Sequence, residues 1–218
     1  MTITLKALGA LLTYPGAELR AAFPEIATAV AADGLLTRRH RASLGLLVNE
    51  LQALDPLDAE ERYVLVFDRG RRTSLHLFEH VHGESRDRGQ AMVDLRATYE
   101  RAGFHLSAHE LPDYLPALLE FLAFRPLAEA RDMLADCANI LRTVGEALVE
   151  RENRYAAVFD ALLYLAREPR LGNVRTAPAV AEKPMDEEWA EEPVIFGPAG
   201  APGGCGAGAA AGFAVGRR

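Results

Sequence analysis

Apolar residues recur at intervals of three and four along most of the first 172 positions, a spacing that predicts helices. Leu5, Leu8, Leu11 and Leu12 share one face of a first helix, which Pro15-Gly16 closes. A second helix covers about 17–31, with Pro24 as a kink or break, and ends near Asp33-Gly34. A third, over 37–54, buries Leu44, Leu47, Val48 and Leu51 behind a basic start, and Asp55-Pro56 ends it. A fourth, over about 58–68, presents Tyr63, Val64 and Phe67. Met92, Leu95, Tyr99 and Ala102 then repeat at helical spacing, with Gly103 placed as a C-terminal cap. Ser107 to Glu110 has capping-box spacing. Asp113 is the other candidate N-cap for the next helix, with Pro116 tolerated in its first turn. Leu115, Leu118, Leu119 and Leu122 form the buried face of that helix. The longest helix is expected over 126–151, on a stripe of Leu127, Ala130, Leu134, Cys137, Leu141, Val144 and Leu148. A last helix over 155–167 buries Val158, Phe159, Leu162 and Leu165 before Pro169. No strand pattern emerges and connections are short, so the expected fold class is all-α, a single helical bundle.

Near Gly172 the composition changes. Residues 173–218 are first acidic and proline-punctuated, then mostly Gly and Ala. Such a chain buries too little apolar surface to offset the entropy of ordering it. The expected organisation is therefore an all-helical domain over 1–172 and a disordered tail over 173–218. Trp189 and Val194-Ile195-Phe196 interrupt that tail as an apolar cluster, read either as a docking motif or as inert.

The formal charge of -7 argues against a general nucleic-acid binder. Of the two cysteines, Cys137 lies on a helical stripe and Cys205 in the Gly-rich tail, so neither a disulfide framework nor a thiolate metal site is expected. A reducing, cytoplasmic compartment follows. The apolar N-terminus is too short to span a bilayer and lacks a basic leader region, so it reads as the first core helix and the protein as soluble.

Candidate chemistry concentrates between positions 63 and 94, where three of the six histidines sit. His76-Leu77-Phe78-Glu79-His80 matches H-x-x-E-H, in which two histidines bind zinc and the glutamate acts as base. On a helical wheel Leu75, Leu77, Phe78 and Val81 take one arc and His76, Glu79 and His80 the other. Any amphipathic surface helix gives that separation without a metal. A zinc hydrolase also needs a third ligand, and nothing singles out Glu146 or Glu150 for it. A second feature is the basic loop Asp68-Arg69-Gly70-Arg71-Arg72-Thr73-Ser74, with Ser74 a natural N-cap. Such a loop suits an anion; the plainer reading is a surface network of arginines with Asp68, Glu79, Glu84 and Asp87. Leu75, Phe78, Tyr99, Tyr114 and Phe121 fit either core positions or a groove that accepts an amphipathic helix. No Walker loop, dinucleotide fingerprint or nucleophilic triad spacing is present.

The run FDRGRRTSLHLFEHVHGESRDRGQAMVDL closely resembles the signature of the respiratory nitrate reductase molybdenum cofactor assembly chaperones, the delta-subunit or NarJ family. LGALLTYPGAEL, ELPDYLPALLEFLA and WAEEPVIFG extend the resemblance along the chain in order. The family lies within a wider TorD/DmsD-like group of all-helical chaperones for molybdoenzymes. The resemblance implies a cytoplasmic, non-enzymatic chaperone that binds the N-terminal segment of the apo alpha subunit of the reductase. It implies further that the chaperone supports insertion of the molybdenum cofactor into that client, binds no cofactor stably itself, delays membrane docking, and is absent from the mature enzyme. In the wider group an acidic-Pro-Asp-His motif is linked to leader-peptide binding. Glu110-Leu111-Pro112-Asp113-Tyr114 corresponds to it here, with Tyr114 in place of the histidine. On this reading Leu75, Phe78 and Tyr114 supply apolar contact to the peptide. Asp68, Arg69, Glu79, His80, Arg86, Asp87, Glu110 and Asp113 form a charged rim. The alternatives are the zinc hydrolase and a direct carrier that holds the cofactor's phosphates on the Arg69–Arg72 loop.

Overall fold

The computed structural model describes residues 2–32, 34–82, 86–107 and 110–172, with the side chains of His82 and Arg86 outside the described set. Glu84, the capping-box positions Ala108 and His109, and all of 173–218 lie outside the described residues. Among those described, ten α-helices occur: α1 Ile3–Leu11, α2 Ala17–Ala32, α3 Arg38–Ala53, α4 Pro56–Tyr63, α5 Leu77–His82, α6 Arg86–Arg101, α7 Leu115–Ala123, α8 Leu127–Asp136, α9 Ala138–Glu150 and α10 Ala156–Leu165. The expected all-α class is what the chain adopts. None of these helices is long and apolar enough to cross a membrane.

The centre is α1 against α7, and α10 against α9 and α3. The stripes read from the sequence are the ones that close it. Leu5, Leu8, Leu11, Leu44, Leu47, Leu51, Leu118, Leu119, Leu122, Val158, Phe159 and Leu162 are all essentially inaccessible. Each such side chain contributes about 1.5–3 kcal/mol of burial. Gly9 permits the closest approach: a Cβ there would stand 3.2 Å from Leu119 Cβ and 3.3 Å from the Pro116 carbonyl oxygen. Thr37 caps α3, Asp55 caps α4 by accepting from the Leu57 N–H, and Gly103 takes φ +75 after α6, as its capping role requires.

Three expectations are corrected. The long helix over 126–151 is two helices meeting at Cys137, whose φ -92 and ψ 0 end α8 before α9 begins. The stripe is unbroken across that corner because α8 and α9 both pack onto α10, so no glycine or proline marks the turn. Pro24 neither breaks nor ends α2 but sits within it. The fourth helix stops at Tyr63 and widens into a π-helical turn, Val64–Asp68, in which the Arg69 N–H reaches back to the Val64 carbonyl at 3.1 Å. That turn buries Val66 and Phe67 and leaves Leu65 46% exposed. A single 3-10 turn, Arg71–Thr73, follows.

Chain beyond α10 is strapped back on the bundle. Arg142 donates to the carbonyls of Pro169 and Arg170, and Asp160 accepts from the Leu171 N–H and from Arg170. Leu171 fills the notch at Gly145, where a Cβ would stand 2.8 Å from its methyl carbon.

Candidate functional site

Residues 74–76 lead from the 3-10 turn to α5 and meet the segment entering α7. The Leu77 N–H donates to the Asp113 carbonyl at 3.0 Å, and the Leu115 N–H to the Leu75 carbonyl at 2.9 Å. His76 and Tyr114 thereby form an isolated antiparallel bridge. The two stretches that carried the motifs in the sequence do face each other.

Asp113 sits at the centre of this junction, fully buried. Its Oδ2 accepts the Phe78 N–H at 3.1 Å, and its Oδ1 accepts His76 Nδ1–H at 3.3 Å. Arg88 of α6 stands 3.8 Å from Oδ2 and 3.3 Å from Glu79. The carboxylate therefore caps α5 from another part of the chain. A six-residue helix is too short to stand on its own propensity, so this cap and burial of Leu77 hold it. Ser74 completes the entry: its Oγ accepts the His76 N–H at 3.2 Å and donates to Glu79 at 2.6 Å, while His80 Nε2 donates to the Ser74 carbonyl at 2.9 Å. The hydrogen bond to Asp113 outweighs desolvation and raises the His76 pKa above its ordinary value.

A ladder of phenols runs from this junction to solvent. Tyr114 stacks on His76 with ring centres 5.3 Å apart, and its hydroxyl meets that of Tyr63 at 3.2 Å. The Tyr63 hydroxyl donates to the Leu12 carbonyl at 2.9 Å, which ties the end of α4 to the end of α1. Tyr14, nearly half exposed, packs edge-on against Tyr63 and donates to Glu60. Burial raises the Tyr63 and Tyr114 pKa values, and the Asp68 carboxylate raises both further. Glu110 acts likewise on Tyr114. The exposed edge of Tyr14 and the exposed carboxylates of Asp68 and Glu110 thus lie about the phenols as one face.

The residues nominated from the sequence divide accordingly. Asp68, Arg69, Asp87 and Glu110 are exposed, and Phe78, Glu79, His80 and Tyr114 are half-buried. The Arg86 side chain lies outside the described set. Two placements are corrected: Asp113 is not part of a rim but an internal cap, and Leu75, 3% exposed, belongs to the core. Asp113 serves α5 and not its own helix, whose N-cap is Tyr114. Val81, placed on the apolar arc, is 60% exposed because α5 follows an extended residue and the wheel loses its phase there. His76 also precedes α5, so His76 and His80 do not lie one turn apart on a common helix, and both rings are engaged. Among the described residues no group of three or more His, Cys, Asp or Glu is arranged for a metal ion. Sequence reasoning missed Arg88 and the Tyr14–Tyr63 pair. Tyr63 sat on a predicted apolar stripe, and only its long reach to Leu12 betrays a polar task. A concavity of about 730 Å³ between the start of α1 and the second half of α2 shares no residue with this junction.

Comparison with known proteins shows what the whole chain is similar to. Residues 16–161 match the family model described as nitrate reductase delta subunit. The chain is 46% identical over 201 residues to the nitrate reductase molybdenum cofactor assembly chaperone NarJ of Escherichia coli, covering 89% of this chain and 85% of that protein. It is 43% identical over 198 residues to the probable chaperone of the same description, NarW, of that organism, covering 88% and 83%. A probable NarJ of Bacillus subtilis is 34% identical over 161 residues, covering 74% and 86%.

Proposed function

Since the chain belongs to the nitrate reductase delta subunit family, we propose that it is an assembly chaperone that assists molybdenum cofactor insertion into a nitrate reductase. Its client is the apo catalytic alpha subunit, which it engages through the N-terminal segment and holds back from the membrane until assembly is complete. It works in the cytoplasm, carries out no catalysis, and takes no part in the finished enzyme. The observation that carries this reading is near full-length similarity to chaperones so named, with the family match covering the central stretch.

The proposed peptide surface is the phenol face. Tyr14, Tyr114 and Phe78 offer apolar edges to one side of an amphipathic helix, and Asp68 and Glu110 offer charge to basic residues on its flank. Glu79, His80, Arg69 and Asp87 complete the rim, while Leu75 and Asp113 act from beneath by holding α5 in place. Titration calorimetry with the reductase's N-terminal peptide tests this. Phe78→Ala is expected to weaken binding about ten-fold or more, and Glu110→Gln to weaken it in low salt but little in high salt. Unchanged affinity in both variants would move the peptide site elsewhere.

A further inference from the structure

The polar contacts at the junction close on themselves. Asp113 Oδ1 accepts His76 Nδ1–H, the His76 backbone N–H donates to Ser74 Oγ, and the Ser74 hydroxyl donates to Glu79 Oε2. Arg88 Nη2 then donates to Glu79 Oε1 at 3.3 Å and stands 3.8 Å from Asp113 Oδ2, the oxygen that also accepts the Phe78 N–H. Four members of this ring come from residues 74–79 and from the segment before α7. Arg88 alone comes from α6, in its first turn. The other end of α6 is held to the same segment, where the Tyr99 hydroxyl donates to the Pro112 carbonyl at 2.9 Å. Both ends of α6 are thereby tied to chain that carries the Asp113 cap.

Within the ring Arg88 is the permanent cation, since His76 is charged only when protonated. Asp113 is fully buried and Glu79 is 31% exposed. Two carboxylates brought together out of water repel each other unless a cation stands between them. Arg88 supplies it to both from one nitrogen. With that charge in place Asp113 keeps Oδ2 on the Phe78 N–H, and that bond fixes where α5 begins and where it presents Phe78.

We propose, on the reading that the phenol face takes the client peptide, that Arg88 is a positioning residue of that site: it closes the ring from α6 and sets Phe78 for the peptide without touching the peptide itself.

Calorimetry on the full chain with the reductase's N-terminal peptide tests this in wild type, Arg88→Gln, Phe78→Ala and the double variant. Affinity is expected to fall about five-fold or more in Arg88→Gln and clearly less in Arg88→Lys, which keeps the charge. In the Phe78→Ala background, Arg88→Gln is expected to add less than about two-fold, because the residue it acts through is gone. Direction matters as well, since removing a cation beside a site for basic residues would strengthen binding if charge alone acted. Arg125→Gln, which makes the same change of net charge at a pair with Glu129 elsewhere, is expected to leave affinity unchanged. A readout without peptide follows from His76, whose pKa the Asp113 hydrogen bond raises and the Arg88 charge opposes; by NMR it should climb in Arg88→Gln. Should Arg88→Gln fail to fold, Arg88→Lys carries the same cycle, with a loss of about two-fold or more expected beside native Phe78 and none beside alanine. Loss in Phe78→Ala with none in the Arg88 variants overturns the positioning role and leaves the peptide surface standing. No loss in Phe78→Ala removes that surface and the proposal with it. Losses that multiply in full would put Arg88 on the peptide and overturn the proposal, as would equal losses in Arg88→Gln and Arg88→Lys, an equal loss in Arg125→Gln, or an unmoved His76 pKa.

Discussion

Replacing Asp113 separates an internal cap from a contact for a partner. In Asp113→Ala the Phe78 N–H and the His76 ring N–H lose the Asp113 carboxylate at once, and the Arg88 guanidinium loses one of its two carboxylate neighbours while keeping Glu79. An orphaned buried donor costs about 1–3 kcal/mol. Breaking one side of a buried ion pair costs about 3–5 kcal/mol. Arg88 and His76 are 24% and 33% exposed and recover part of their hydration, so the expected total lies near the lower bound, about 3 kcal/mol. Asp113→Asn retains one acceptor oxygen and the volume, and should cost about 1–2 kcal/mol. Urea unfolding of the full chain measures both. With a slope of roughly 2 kcal/mol/M, the alanine variant shifts the midpoint down by about 1.5 M. A contact at the protein surface would give another result: peptide affinity would drop while the midpoint stayed in place. An alanine variant within about 0.5 kcal/mol of wild type, or alanine and asparagine variants of equal stability, would refute the cap.

Three further outcomes are expected. The pKa of His76 is raised above an unfolded value of about 6.5, so its pairing with Asp113 contributes fully below that pH and fades as pH climbs through the folded value. The stability difference between wild type and His76→Gln should therefore shrink from pH 6 to pH 8, and a flat difference would contradict the pairing. Gly145→Ala drives a methyl to 2.8 Å from Leu171 and 3.1 Å from Phe159 Cβ, an overpacking cost of about 1–3 kcal/mol against about 1 kcal/mol of helix propensity regained. Adding Leu171→Ala should recover part of the loss, as thermal unfolding of both variants would show. Burial pushes the Cys137 thiol up to about 11, so in a Cys205→Ser background alkylation at pH 8 should run ~100-fold slower than for a free thiol until denaturant is added.

Helix faces were legible because burial and periodicity are both written locally. Leu44, Leu47, Val48 and Leu51 needed no knowledge of what they would touch. The corner at Cys137 was not legible, since two helices packed on the same partner keep one stripe in phase across a turn. Asp113 was recognised as a cap, and the helix it serves was misjudged. Capping chemistry is visible in a residue type, but which N–H it meets depends on tertiary approach of chain some 35 positions away. The wheel drawn through His76 failed for a related reason, because pairing with Tyr114 holds that residue extended and delays the helix. The phenol ladder escaped notice because tyrosines on an apolar stripe look like core until their hydroxyls are traced.

Borrowing a cap across the fold makes 74–80 and 110–115 one heritable unit. A substitution in one stretch changes what the other can accept, since Leu75, His76, Leu77 and Phe78 take their positions from Asp113 and Leu115. Effects of paired changes there should depart from simple sums, as they do wherever residues share one hydrogen-bond network. A chimera that takes the first stretch from a distant relative while keeping the native second one inherits a helix without its matched lid. Exchanged together, the two stretches travel as a working pair.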